Sequence, residues 1–108
     1  MIAEKKNIFA ELLQNLPEEV FEKILEGKDF FVERIISDGH ASPPNFWYDQ
    51  KTNEFVMLMS GSAKILCDDG NLFSLSSGDY LIIPAHQKHR VEETDKTQKT
   101  IWLALHYK

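Results

Sequence analysis

What this chain has little of narrows it first. It has one cysteine, Cys67, so no disulfide can form within it, and a reducing compartment, the cytoplasm, is the expected location. It has two arginines, Arg34 and Arg90, and 12 basic against 17 acidic residues, a formal charge of -5. A nucleic-acid partner is therefore not expected, because no broad basic footprint exists for a phosphate backbone. Its apolar runs are short, as in Phe55-Val56-Met57-Leu58-Met59, and no stretch is long enough for a membrane-spanning helix. The first residues, Met1-Ile2-Ala3-Glu4-Lys5-Lys6-Asn7, are charged but lead into no apolar core or small-residue cleavage site of a secretion signal. With 108 residues, 43% of them hydrophobic, the chain has material for one core and not for two.

The composition changes character once, near Gly27. Leu16-Pro17-Glu18-Glu19 suits a helix start, with proline at the first helical position and two acids facing the positive end of the helix dipole. Val20, Phe21, Ile24 and Leu25 follow at helical spacing and Gly27 suits the closing residue, so the pattern predicts a helix over about residues 17–26. Upstream, Ile8, Phe9, Leu12 and Leu13 predict a short turn or helix docked on an apolar surface. Residues 1–28 thus read as an N-terminal helical arm and residues 29–108 as a β domain. There the apolar segments shorten to strand-and-turn intervals: Phe30 to Ile36, Phe46 to Tyr48, Glu54 to Ser60, Ala63 to Cys67, Leu72 to Leu75, Tyr80 to Pro84, Lys88 to Glu93 and Thr100 to Tyr107. About eight short strands without intervening helices predict an all-β sandwich or jelly roll. In the Glu54 strand both faces are apolar apart from the acid, so both need cover: one from the barrel interior, the other from the arm or a second subunit. A homodimer is the expected assembly.

Two spacings carry a family resemblance. Six residues separate Glu54 from Gly61, and Gly78, Pro84 and His89 follow in a second fixed pattern. These resemble the ends of the two motifs of the cupin superfamily, in particular its small single-domain conserved-barrel branch, over about residues 30–108. The resemblance implies a double-stranded β-helix, the RmlC-like jelly-roll barrel. It also implies a metal held by three first-motif ligands and one second-motif histidine. The first-motif histidine pair is missing: Tyr48 and Gln50, or Trp47 and Asp49 in the other register, stand in its place. In the second motif His86 occupies a glycine position and Glu93 the terminal asparagine. Some members of the branch carry a provisional mannose-6-phosphate isomerase name, which is fold analogy and not a site argument.

By that resemblance, His89, Glu54, Gln50 and Asp49 are the candidate ligands of one divalent metal, zinc, iron, manganese or nickel. Glu54 and His86 are the candidate proton-transfer groups, and Tyr48, Gln50 and Trp47 the candidate ligand contacts. The alternative for His89 is a satisfied polar pair with Glu54 inside the barrel; for His86, an exposed place at the barrel mouth. His40 reads as a solvated loop residue and His106 as a core or interface histidine. Phe46, Trp47, Tyr48, Tyr80 and Trp102 either line a pocket or fill the core, with Tyr48 the best placed for a ligand. Neither arginine sits in a glycine-rich phosphate loop. Two functions follow as expectations. One is a metal-assisted cupin, isomerase- or dioxygenase-like if it is an enzyme, that binds or transforms a small polar molecule such as a sugar or organic acid. The other is a metal-free binding or sensor module, or a structural partner protein whose apolar sheet face is the working surface.

Overall fold

The computed structural model describes residues 1–12 and 14–108 and is all-β. Eight strands run in chain order: β1 Val20–Glu26, β2 Phe30–Ser37, β3 Asn53–Ser60, β4 Ser62–Cys67, β5 Leu72–Ser76, β6 Tyr80–Ile83, β7 His89–Thr94 and β8 Thr100–Tyr107. They form two antiparallel sheets, one ordered β1-β2-β8-β3-β6 and the other β5-β4-β7. No helix long and apolar enough to cross a membrane occurs among the described residues.

The predicted helix over residues 17–26 is not present. That segment is β1, which pairs with β2 from Val20↔Ile36 to Glu26↔Phe31 and carries a bulge between Lys23 and Leu25. The apolar residues at helical spacing are the cause of the misreading, since Val20, Phe21, Ile24 and Leu25 are equally good strand formers. Pairing along the whole of β2 supplies more than local propensity can. Gly27 closes a hairpin rather than a helix, its N–H donating to the Phe30 carbonyl at 2.9 Å. Phe46–Tyr48 is also not a full strand: only Tyr48 bridges, to His89.

Upstream, Asn7 to Ala10 form a turn, with Ala10 N–H donating to the Asn7 carbonyl at 3.0 Å. An arginine, more than apolar contact, anchors it. The nearly buried Arg34 side chain donates to the carbonyls of Ile8 (3.0 Å) and Ala10 (2.6 Å) and twice to Glu22, at 2.9 and 2.6 Å. Leu13 of the predicted docking pattern lies outside the described residues.

Between the sheets the core gathers Ile35, Val56, Leu58, Ala63, Ile65, Leu75, Ile83, Trp102 and Ala104. Strand alternation dictates this: Val56 and Leu58 of β3 point inward while Phe55, Met57 and Met59 point outward and are half-buried. The β3–β4 turn needs Gly61, whose φ is +92° and where a Cβ would lie 2.5 Å from Thr100 Oγ1 and 2.8 Å from Thr100 Cα.

Candidate functional site

The inward-facing row on the five-stranded sheet becomes polar at one end, and the register places the groups. Glu54 of β3 lies directly opposite His106 of β8, and His106 lies opposite Phe31 of β2. Glu33, two residues beyond Phe31 on the same face, reaches His106 diagonally. From the second sheet, His89 opens β7 opposite Cys67. Two acids and two imidazoles from four strands therefore meet in one pocket. Its polar lining is Glu19, Glu33, Tyr48, Gln50, Glu54, His89 and His106, over an apolar floor that includes Ile35, Val56, Ile65 and Ile83. The open space is about 50 Å³, room for a few waters or a compact ligand.

The four groups form a chain. His106 Nε2 is 3.0 Å from Glu33 Oε1 and 3.9 Å from Glu54 Oε2, and His89 Nε2 is 3.6 Å from Glu54 Oε1. His89 Nδ1 lies 2.9 Å from the Gln87 carbonyl. A carbonyl only accepts, so Nδ1 carries the proton and Nε2 of neutral His89 would turn a lone pair toward the Glu54 carboxylate. Protonation removes that conflict. Burial pulls the His89 pKa down, but Glu54 and the Gln87 carbonyl outweigh it and the net shift is upward from 6.5. His106 behaves alike: burial lowers its pKa, while Glu33 and Glu54 carry it above its ordinary value. The side chains of Glu54 and His89 are only 8% and 6% exposed. Among the described residues no hydrogen bond to the Glu54 carboxylate is made, and both imidazoles stand beyond 3.5 Å.

Aromatic rings hold the imidazoles in place. Tyr48 exchanges backbone hydrogen bonds with His89 at 2.7 and 3.2 Å, and its ring stacks on the His89 ring at 5.4 Å. Phe31 stacks on His106 at 4.4 Å. Burial first, then the nearby Glu19, Glu54 and Glu33, raise the Tyr48 pKa, so its hydroxyl stays protonated as a donor. Glu19 is fixed at the pocket by Ser37, whose hydroxyl donates to Glu19 Oε2 while accepting from Trp102 Nε1 at 3.1 Å.

Of the residues singled out in the sequence, Glu54, His89, Tyr48 and Gln50 come together in this pocket. His86, Asp49 and Trp47 do not line it. His86 is largely exposed, with Nδ1 2.7 Å from Asp49 Oδ1, at the rim beside Gln50. The backbone at His86 has a φ of 65°, the left-handed conformation that accounts for a glycine in the motif it departs from. Its N–H donates to the Gln50 carbonyl at 2.7 Å, tying the rim to the pocket wall. His40 is a loop residue whose Nδ1 accepts from Asp38 N–H at 2.9 Å.

Three polar residues of the pocket were not among the candidates: Glu19, Glu33 and His106. For the latter two a signal existed, since Phe31-x-Glu33-x-Ile35 and Trp102-x-Ala104-x-His106 put a titratable group in phase with apolar inward positions. Glu19 had none, because its reach depends on Ser37 and on β1 being a strand.

The cupin domain model matches residues 33–106, most of the chain. The chain belongs to the cupin family. As a cupin it is similar to a solved protein from Ralstonia eutropha JMP134 provisionally named mannose-6-phosphate isomerase: 46% identity, TM-score 0.93, covering 96% of this chain and 97% of that one. It shares its fold with a conserved protein of unknown function from Streptococcus pyogenes, at 15% identity and TM-score 0.77 over 100% and 90% of the two chains. A cupin superfamily protein from Desulfitobacterium hafniense DCB-2 is similar at 15% identity and TM-score 0.72, over 89% and 83%. No curated protein matches the chain.

The family's metal chemistry needs donors that converge. Here Glu33 engages His106 Nε2, and the two imidazoles approach different oxygens of Glu54. Among the described residues, no group of three or more His, Cys, Asp or Glu side chains is arranged to hold a metal ion. Asp49 and Gln50 do not complete a set, since Asp49 is committed to His86 at the rim. The donor set does not fit a resident divalent ion in this arrangement.

Proposed function

We propose that this cupin is a binding cup for a small polar molecule and that it works without a metal. The observation that carries the reading is the Glu54 carboxylate: nine-tenths buried, facing the cavity, with both neighbouring imidazole nitrogens beyond hydrogen-bond distance. Its oxygens open on the cavity rather than being sealed away from it, so they are free acceptors for a ligand N–H or O–H. His89 and His106 flank it with pKa values shifted upward, so both rings hold their protons to higher pH than a free imidazole. The test is a ligand-induced melting shift measured with and without a strong chelator. Shifts that survive chelation support the reading, whereas a shift that needs an added divalent ion overturns it.

A proton-transfer enzyme is the second reading, favoured by the His89 tautomer, which aims an unprotonated Nε2 into the cavity whenever the ring is neutral. In it His89 would shuttle the proton while Tyr48 and Gln50 position the substrate. The mannose-6-phosphate isomerase name of the Ralstonia relative is not carried over on this basis, because no lysine or arginine lines the pocket to receive a phosphate.

We further propose that the outer face of the five-stranded sheet pairs with a second copy of the chain. One apolar row crosses all five strands, Leu25, Val32, Leu105, Phe55 and Ile82 in register. Leu25 and Ile82 at its ends are at least half exposed. An apolar stripe of that span facing water is characteristic of an interaction surface.

A further inference from the structure

The charge of the cup restricts what can enter it. Three carboxylates, Glu19, Glu33 and Glu54, line the cavity, and among the described residues the groups there able to carry positive charge are the two imidazoles. Three negative groups against at most two positive leaves the lining net negative in every protonation state of the histidines. Both arginines are engaged elsewhere. Arg34 is on the outer side of the sheet with Glu22 and the Ile8 and Ala10 carbonyls, and Arg90 donates to the Ser42 and Pro43 carbonyls. An anion entering would meet no strong cation and no phosphate-cradling loop.

The open acceptor and the wall point the same way. Glu54 presents a nine-tenths-buried carboxylate that lacks a donor, with His89 and His106 Nε2 at 3.6 and 3.9 Å. The same cavity is lined by the aromatic rings of Phe21, Tyr48 and Trp102, surfaces of the kind that attract a desolvated cation. Beneath it Ile65 and Ile83 form an apolar floor, and the space of about 50 Å³ admits only a short chain. Resting on the reading that the cup binds a small molecule, we propose that its ligand is a small organic ammonium ion with a short apolar tail, the ammonium donating to Glu54 and the tail lying on the isoleucine floor. This departs from the sugar or organic acid that the family resemblance suggests.

The probes are n-propylammonium, 1-propanol, propionate and inorganic phosphate, titrated into the chelator-treated full chain by NMR, with the His89 and His106 side-chain signals reporting cup occupancy. Four non-hydrogen atoms of good ligand efficiency correspond to a dissociation constant of roughly 1 mM for n-propylammonium. Propanol, its neutral isostere, and propionate should bind about tenfold or more weakly. Glu54→Gln keeps the side-chain volume and should weaken n-propylammonium about tenfold while leaving 1-propanol unchanged. Glu93→Gln, on the exposed face of β7, should leave both unchanged. Equal binding of the alcohol, tighter binding of propionate or phosphate, or no movement of the two histidine signals with n-propylammonium each overturns the ammonium assignment. If the alcohol or the carboxylate occupies the cup despite chelation, the small-molecule reading stands and only its ligand class is wrong. If nothing but a divalent ion moves those signals, both fall. Should Glu54→Gln fail to fold, the wild-type series decides alone.

Discussion

Replacing Glu54 with glutamine should change the sign of its effect on stability across neutral pH. In the wild-type protein His89 and His106 have native pKa values above their unfolded value of 6.5. Groups of that kind add stability that is complete below the unfolded value and is lost as pH rises through the raised native values. The charged and titratable groups facing the two rings are Glu54 from β3, Glu33 from β2, Glu19 from the segment before β1, and Tyr48. Among the described residues Glu54 is the carboxylate that approaches both imidazoles, at 3.6 and 3.9 Å. At an effective dielectric of about 20, an ion pair at that separation is worth roughly 4 kcal/mol, most of which offsets the removal of both charges from water. A remainder of about 1 kcal/mol per imidazole gives a swing of about 2 kcal/mol between acid and alkaline limits, or roughly 8 °C in Tm for a domain of this size. Glutamine should therefore lower Tm below pH 6, where it takes away an ion-pair partner. It should raise Tm at pH above the raised native values, where the neutral His89 ring turns a lone pair toward the carboxylate. Scanning calorimetry of both proteins over that range reads the difference directly. A constant difference of one sign at every pH would refute the reasoning, because the acid would then not be coupled to the two rings.

Gly61→Ala should cost about 2–4 kcal/mol, since the residue must hold φ +92° and its Cβ would meet Thr100 backbone at 2.8 Å; denaturant midpoints at constant m-value measure it. Arg34→Met should leave the Glu22 carboxylate and the Ile8 and Ala10 carbonyls without their donor, destabilising by roughly 3 kcal/mol. Limited proteolysis should then cut first near residues 8–12. Ile82→Asp, on the outer row at a 63% exposed site, should dissociate the proposed dimer with little effect on monomer folding; sedimentation equilibrium showing a monomer for the wild-type protein would dismiss that interface.

The sequence made the barrel legible because its evidence is periodic. Seven of the eight strands start or end close to where alternation and turns put them, and the resemblance of two spacings to the cupin motifs put Glu54 and His89 in one site. The arm was misread because Val20, Phe21, Ile24 and Leu25 satisfy a helical period as well as a strand, and only the presence of β2 as a hydrogen-bonding partner decides between them. The other half of the cup was less legible for a related reason. Glu33 and His106 carry no motif, and they meet Glu54 through the β2–β8–β3 register, a long-range property that no local pattern encodes. Asp49 and His86 illustrate the converse: motif counting brought them near the metal ligands, while the left-handed turn at His86 directs them to each other at the rim.

The imidazole nitrogen spectrum of the chelator-treated protein tests the metal-independent cup most directly. The account predicts a proton on Nδ1 of His89, donated to the Gln87 carbonyl, and a proton on Nε2 of His106, donated to Glu33, with neither ring perturbed by one equivalent of zinc. Stoichiometric zinc shifting both Nε2 resonances together in slow exchange would contradict it, since one metal would then be bound where the open Glu54 carboxylate is assigned to a ligand.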